Sequence, residues 1–182
     1  MHSSNFEIRN EVVGDEPALS ELSAEAFGPG RFARTAYRVR EGVPPVPSLS
    51  LTGWLDGRLV GGIRFTALTI GGEERALLLG PLVVHPAYKG NGYGKALAGE
   101  GISRARAQGF RLVVLVGDMP YYGRFGFVPV PRGQIALPGP VDPARLLALE
   151  LVPGALANAA GLVQAKAAVW RACLPRSDWC RP

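Results

Sequence analysis

The segment spanning residues 77–108 constrains the fold most, because an apolar strand runs through a glycine-rich turn directly into a helix. Residues 77–84 form a nearly continuous aliphatic run, which is typical of a strand buried in a sheet. Residues 96–108 contain no proline and read as a helix. A strand followed at once by a helix predicts an α/β arrangement in which the helix packs back onto the sheet.

The turn between this strand and this helix has the composition of an anion-binding site. Four of its residues tolerate positive φ angles: Gly90, Asn91, Gly92 and Gly94. We expect all four to adopt such angles, so that successive backbone N–H groups point toward one phosphate. The helix start adds unpaired N–H groups and a positive dipole end, and Lys89 and Lys95 add full charges. A turn that only connects strand and helix is the alternative, which the spacing leaves open.

Two common phosphate-binding fingerprints do not fit this turn. A P-loop requires Ser or Thr directly after its lysine, but Ala96 follows Lys95. The dinucleotide pattern G-x-G-x-x-G fails from Gly90 and from Gly92, because the third glycine position holds Lys95 or Leu97. The anion site predicted here is therefore of another kind.

Gly80 and Pro81 interrupt the strand that leads into this turn. Proline cannot donate to a ladder and glycine favours a bulge, so we expect the sheet to splay at this place. Leu82, Val83 and Val84 would then offer unpaired backbone N–H and C=O groups to an extended ligand that carries amides. A bulge that only curves the sheet is the alternative. Together with a phosphate site, the open strand predicts one ligand with a pyrophosphate and an amide arm, such as coenzyme A.

Two motifs give the chain a resemblance to a known family. Lys89, Gly92 and Gly94 match the loop pattern Gln/Arg-x-x-Gly-x-Gly/Ala, with lysine in place of the usual first residue. Tyr122 stands four residues before a Gly-Phe pair, within the run GDMPYYGRFGF. With these motifs the chain resembles the GNAT superfamily of acyl-CoA-dependent N-acyltransferases, and within it the YhbS type.

The resemblance implies a cosubstrate and a set of site residues. Acetyl-CoA would bind along ten residues: Leu82, Val83, Val84, Lys89, Gly90, Asn91, Gly92, Tyr93, Gly94 and Lys95. In that family the tyrosine that matches Tyr122 protonates the departing CoA thiolate, so the resemblance implies Tyr122 as the catalytic acid. From the residues alone, Tyr121 and Tyr122 would instead fill the gap beside Phe125 and Phe127. No metal is implied, and no residue is assigned as the general base.

The remaining segments predict the rest of the fold. Helices and hairpin strands are expected at residues 16–28, 31–39, 49–55 and 58–68. We predict a single α/β (α+β) domain of the GNAT type over residues 1–182, with its core at about 7–170. The expected sheet is mixed and largely antiparallel, has about seven strands with a splayed central pair, and carries helices on both faces.

Composition narrows the functional class. With 182 residues, of which 47% are hydrophobic, the chain suits one core rather than two. It contains no apolar run near the ~20 residues that span a bilayer and no signal-peptide core, so we expect no membrane partner and a cytoplasmic location. Cys173 and Cys180 lie too near the end to staple the core, and no Cys/His spacing predicts a metal site. The net charge of +5 is spread along the chain, which argues against a nucleic-acid surface.

The sequence therefore predicts an N-acetyltransferase. It would transfer the acetyl group of acetyl-CoA to a primary amine by direct attack in a ternary complex. Small-molecule and peptide amines both remain open as acceptors, as do a monomer and a homodimer. Two other functions also remain open, a non-catalytic acyl-CoA-binding or regulatory module and a nucleotide-phosphate-binding protein.

Overall fold

The computed structural model of the protein describes residues 5–28, 30 and 35–166. Within these residues the strands are β1 (Phe6–Asn10), β2 (Leu51–Leu55), β3 (Arg58–Ile70), β4 (Glu73–Val84), β5 (Leu112–Val116), β6 (Val128–Pro129), β7 (Ile135–Ala136), β8 (Leu146–Glu150) and β9 (Gly161–Ala165). The α-helices are α1 (Glu16–Phe27), α2 (Thr35–Arg40), α3 (Tyr93–Ala107), α4 (Met119–Tyr122) and α5 (Ala155–Asn158). Cys173 and Cys180 lie outside the described residues.

The strands form one mixed sheet in the order β1-β2-β3-β4-β5-β8-β6. Every neighbouring pair along this path is antiparallel except β4 and β5, which run parallel. β9 joins the far end of β3 beyond β2, and β7 pairs in parallel with β9. The predicted mixed, largely antiparallel sheet is confirmed, with nine strands in the described residues where about seven were expected. β6 and β7 are only two residues long, too short to show an alternating pattern in the sequence.

The early hairpins follow from their turn residues. Asp56 and Gly57 have φ angles of 48° and 81°, as a two-residue hairpin turn with right-handed strands requires. β2 begins later than predicted, since Pro47 opens a short 3-10 turn that ends at Leu49. A second glycine turn connects β3 to β4, and both strands extend further toward it than the sequence indicated.

Helices cover both faces of the sheet, as predicted. A Cβ built on Gly61 would lie 3.1 Å from a methyl carbon of Leu97 in α3, and one built on Gly62 would lie 2.5 Å from Leu19 in α1. Because successive strand residues face opposite sides, α1 and α3 pack on opposite faces. α1 ends at Phe27, as expected, whereas α2 starts at Thr35; residues 31–34 of its predicted span lie outside the described part.

The sheet separates two apolar clusters. The α3 side is built around Phe65, Leu97, Phe127 and the inward residues of β5 and β8, and the opposite side around Leu68, Ile70, Leu78 and Val163. Ala98 and Ala105 of α3 are fully buried against the sheet. Their small side chains let α3 lie close to the sheet, and this position fixes where the turn before α3 points.

Two glycines of α3 give a matched test of this packing. A Cβ on Gly101 would lie 2.6 Å from the ring of Phe65, which is completely buried, so Gly101→Ala should overpack the core and destabilise the protein by ~1–3 kcal/mol. Gly99 is exposed and has nothing within 4 Å of its Cβ position, so Gly99→Ala should stabilise the protein by ~0.5–1 kcal/mol. Urea unfolding of both variants measures the sign of each change in the free energy of unfolding. A Gly101→Ala variant as stable as wild type would contradict the close approach of α3 to Phe65.

Candidate active site

A bulge in β4 sets the geometry of the site. Ile63 pairs with Leu82 and Phe65 pairs with Leu79, so Arg64 alone faces the two residues Gly80 and Pro81. Gly80 has a φ of 135°, a value that side chains with a Cβ rarely adopt, and its peptide bond to Pro81 is cis. The bulge predicted from this Gly-Pro pair is therefore confirmed.

The sheet also opens at this bulge. β4 pairs with β5 only from Ala76 to Leu78, and β5 then continues alongside β8 as far as Val116. β4 itself continues to Val84, still paired with β3 on its other side. Beyond Leu78, the edge of β4 that faces β5 therefore has no strand partner among the described residues. This is the splayed central pair that the sequence predicted.

Only part of the predicted open strand is free. The N–H of His85 donates to the carbonyl of Val60 at 2.8 Å, and paired residues of an antiparallel ladder exchange hydrogen bonds at every second position. By this alternation the backbone of Val83 faces β3, whereas the backbones of Leu82 and Val84 face the open edge. The expectation of a free Val83 was wrong, because the ladder to β3 resumes directly after the bulge.

The turn before α3 has two left-handed glycines. Gly90 and Gly92 both have φ values of 86°, as predicted, and nothing lies within 4 Å of their Cβ positions. Asn91 and Gly94 do not have positive φ angles, so that expectation was wrong for both. The Asn91 amide donates to the Tyr88 carbonyl across the turn. Gly94 already belongs to α3, and glycine is needed there because a Cβ would lie 2.8 Å from the Tyr121 hydroxyl oxygen.

The first turn of α3 leaves its backbone donors available. The first N–H that bonds within the helix belongs to Ala96, which donates to the Gly92 carbonyl at 2.9 Å. No side chain caps this end, and its first turn has no acidic residue. The N–H groups of Tyr93, Gly94 and Lys95 therefore remain for an anion. The Tyr93 ring stacks on Phe6 with centroids 4.4 Å apart, so its side chain packs while its backbone faces the turn.

A cavity of about 1120 Å³ lies on the α1 and α2 face, next to the bulge. Its wall includes Gly80, Pro81 and Leu82 from β4, Lys89 from the turn, and Tyr122. Residues 90–95, Val83 and Val84 are not part of that wall. The cavity therefore meets the predicted site at Leu82, Lys89 and Tyr122, while the rest of the anion turn opens on the surface beside it.

Tyr122 sits at the junction of the cavity and the core. Its ring meets Phe127 edge-on with centroids 5.7 Å apart, and a Cβ on Gly117 would lie 2.4 Å from it. Burial raises the pKa of Tyr122 well above its ordinary value, and the neighbouring Tyr121 and Asp118 raise it further. Its hydroxyl makes no hydrogen bond to any described residue. Tyr122 is thus a neutral phenol with an unused proton on the cavity wall.

Comparison with known proteins places this geometry in a family. The model of the Acetyltransferase (GNAT) family matches residues 17–127, which is more than half of the chain. The chain belongs to the GNAT acetyltransferase family. The predicted membership of this family, the fold class and the acyltransferase activity are thereby confirmed.

Relatives and solved structures of this GNAT protein agree with that assignment. YjhQ of Escherichia coli K12, an uncharacterized N-acetyltransferase, is 34% identical over 143 residues, covering 77% of each chain. The crystal structure of YhbS from Escherichia coli in complex with CoA has a TM-score of 0.78 at 26% identity, and covers 91% of this chain and 92% of that one. A GNAT acetyltransferase from Brucella melitensis, in complex with acetyl-CoA, has a TM-score of 0.59 at 32% identity, with coverages of 80% and 96%.

Other observations limit what this GNAT site contains. Within residues 5–28, 30 and 35–166, no cluster of three His, Cys, Asp or Glu side chains is arranged to hold a metal ion. In the same residues, no helix is both long and apolar enough to cross a bilayer. Neither observation tests the cytoplasmic location, which stays a prediction.

Sequence reasoning missed most residues of the cavity wall, Arg40 among them. Arg40 ends α2 with its Nη1 atom 3.4 Å from the Cβ position of Gly80. In the sequence it is one of several arginines in a basic helical segment, and nothing in the spacing separates it from the exposed Arg38. Only the packing of α2 against the bulge shows that Arg40 belongs to the site.

The raised pKa of Tyr122 gives a spectroscopic prediction. In the folded protein, the ultraviolet difference between wild type and Tyr122→Phe should show no ionising phenol around pH ~10, where an unperturbed tyrosine titrates. In concentrated guanidinium chloride the same difference should appear near pH ~10. The pKa of Tyr122 is higher in the folded than in the unfolded protein. Its contribution to stability is therefore fully present below pH ~10 and is lost as the pH rises from there through the folded pKa. A phenol that titrates normally in the folded state would contradict the buried position.

Proposed function

We propose that this GNAT protein is an N-acetyltransferase that transfers the acetyl group of acetyl-CoA to a primary amine by direct attack in a ternary complex. The observation that carries the proposal is the open edge of β4, which leads from the bulge at Gly80 and Pro81 into the uncapped start of α3. An extended ligand with amides along one arm and a diphosphate at one end matches this run of backbone donors.

The described residues fit acetyl-CoA in two places. The free N–H groups of Tyr93, Gly94 and Lys95, with the left-handed turn at Gly90 and Gly92, would hold the diphosphate. The Lys89 ammonium would add charge at the cavity end of that turn. The Leu82 carbonyl and the backbone of Val84 would bond the amide arm through the open edge, which is how an added strand binds to a sheet.

The chemistry that acetyl-CoA supplies is an activated acyl group on a thiol leaving group. Around it, this chain must stabilise negative charge on an oxygen and deliver one proton. The N–H of Leu82 faces the open edge on the cavity wall, and a fixed backbone donor of this kind stabilises charge that develops in the transition state. We therefore assign Leu82, rather than Val83, to the thioester oxygen.

Tyr122 is the residue placed to supply the proton. Burial keeps the Tyr122 phenol protonated throughout the neutral range, so it is a proton donor at the pH of the reaction. Because its pKa lies above that of a free thiol (~8.5), transfer to the departing thiolate requires that the phenolate be reprotonated at once. The phenolate left behind recovers a proton from water in the cavity. Packing against Phe127 does not compete with this role, because the ring is held by its faces and edges while the hydroxyl stays unbonded.

The attacking amine must lose its own proton first, since an alkyl ammonium has a pKa near ~10.4. The cavity wall carries four carboxylates from the described residues: Glu16, Glu41, Asp118 and Asp142. Asp118 already pairs with Arg145 at 3.2 Å. A carboxylate of this wall can accept the proton directly or through a water molecule.

A second candidate is a non-catalytic acyl-CoA-binding module. One observation favours it: no carboxylate among the described residues bonds to Tyr122, so no preassembled acid and base pair is present. Such a module would keep the backbone groove but release no thiol with any amine. The kinetic consequence of changing Tyr122 separates the two functions.

Tyr122→Phe should lower kcat for thiol release by about 10²-fold, the contribution expected of a general acid. The dissociation constant for acetyl-CoA, measured by calorimetry, should stay within about threefold because the backbone groove is unchanged. Tyr88→Phe, which removes a hydroxyl outside the cavity wall, serves as the control. Equal loss of rate in both variants would refute the acid role, and thiol release by neither wild type nor variant would favour the non-catalytic module.

Lys89→Ala should weaken acetyl-CoA binding by about tenfold, since it removes a charge-assisted contact to phosphate. Added salt should shrink the difference between the two proteins, because Lys89 is exposed and screened. S-acetylpantetheine, which has the amide arm but no diphosphate, provides the matched ligand. S-acetylpantetheine should bind wild type and variant with the same affinity. An equal loss of affinity for both ligands would show that Lys89 does not act on the diphosphate.

A further inference from the structure

Arg40 is a cation on the cavity wall that has no acidic partner in the described residues. Its Nε donates to the Ala36 carbonyl at 2.9 Å, which anchors the guanidinium to its own helix. Its Nη1 is sealed from solvent and makes no hydrogen bond, and no ion pair to Arg40 is found among those residues. Among the described residues, only the Nε donor of Arg40 has a hydrogen-bond acceptor, and the two N–H donors of Nη1 are buried without one.

The other cations of the same wall are accounted for. Arg64 bonds through two nitrogens to Glu11, and Arg145 pairs with Asp118. Lys89 is exposed and lies at the start of the anion turn. Arg40 differs from these three because its Nη1 is buried and it has no carboxylate partner among the described residues; its guanidinium carbon lies 5.8 Å from the centroid of the Tyr37 ring. Burial lowers the pKa of Arg40 to about 10, yet leaves it charged at neutral pH.

The position of Arg40 says what kind of group would pair with it. Nη1 lies 3.4 Å from the Cβ position of Gly80, directly against the bulge. Leu82, whose N–H we assign to the thioester oxygen, is two residues further along β4, so its Cα atom lies within ~7 Å of that of Gly80. If one acceptor molecule carries both the anion held by Arg40 and the amine that attacks beside Leu82, only a few bonds of that molecule separate the two groups.

We propose that the acceptor is a short amino acid-like molecule whose anionic group, a carboxylate or a phosphate, is bound by Arg40. This inference rests on the acetyltransferase function proposed above and names its substrate class. A planar guanidinium binds both anions through paired N–H donors, so both share the recognising chemistry. The ligand would neutralise a charge that has no acidic partner in the part of the chain that the structure describes.

The test compares primary amines that differ only in the anionic group. Free amino acids and 4-aminobutyrate are paired with their amides, and phosphoethanolamine is paired with ethanolamine. For the preferred pair, wild type should acetylate the anionic member with at least about tenfold higher kcat/KM, as expected for a charged hydrogen bond. The carboxylate and phosphate arms identify which anion is used.

Arg40→Gln should reduce that preference to within about threefold, and Arg40→Lys should restore part of it. Arg38→Gln removes the same charge from an exposed position of α2 and should keep the wild-type preference. Because Arg40→Gln removes an unpaired buried cation, its melting temperature should not fall below that of wild type. A preference that survives Arg40→Gln, or acids and amides used equally by wild type, would overturn the proposal.

A binding measurement keeps the two proposals separable. Calorimetry with the CoA-loaded protein compares N-acetylglycine with N-acetylglycinamide, and the corresponding N-acetyl amino acids with their amides. Tighter binding of the acids, lost in Arg40→Gln, supports the anion site even if no amine releases thiol, in which case only the catalytic function fails. Equal binding of acids and amides, together with equal binding of N-acetylphosphoethanolamine and N-acetylethanolamine, refutes the anion site and leaves the acetyltransferase function standing.

Discussion

The interruption of β4 at Gly80 and Pro81 is the constraint on which the rest of the site depends. The bulge sets two residues against one of β3, and just before it the pairing with β5 ends. An unbroken parallel pair would bury the backbone groups of Leu82 and Val84 in hydrogen bonds and close the wall of the cavity. The edge proposed to bind the cofactor and the cavity beside it both exist because the sheet opens there.

The residues that could be predicted from the sequence are those whose signal is local. Glycine and proline restrict their own backbone, so the bulge at Gly80 and the left-handed residues Gly90 and Gly92 were predictable. The phase of the ladder after a bulge depends on a partner strand distant in sequence, so the orientation of Val83 was not. Gly94 also belongs to the glycine pattern, but for another reason. The residue must be glycine because Tyr121 approaches it closely, and not because it needs a positive φ angle.

The packing of Tyr122 does not exclude the catalytic role proposed for it. Sequence reasoning set them as alternatives because each accounts for a tyrosine among phenylalanines. In the fold, the same burial that packs the ring against Phe127 also holds the phenol neutral. The core thus determines the protonation state of the group, while the position of its hydroxyl on the cavity wall determines what that proton can reach.

The proposed cofactor surface and the cavity are built from different groups, backbone in the first and side chains in the second. This difference determines how much of each could be predicted from the sequence. The cofactor side consists of backbone N–H groups, which any sequence supplies once glycines shape the chain, so lysine at position 89 does not disturb the pattern. The cavity side depends on side chains from α1, α2 and the bulge, which meet only after folding. Among the described residues Arg40 has no carboxylate partner, because α2 carries its guanidinium against Gly80 and over the Tyr37 ring. A buried charge of this kind is tolerated when a ligand supplies the partner, so the proposed acceptor class follows from packing rather than from a sequence motif.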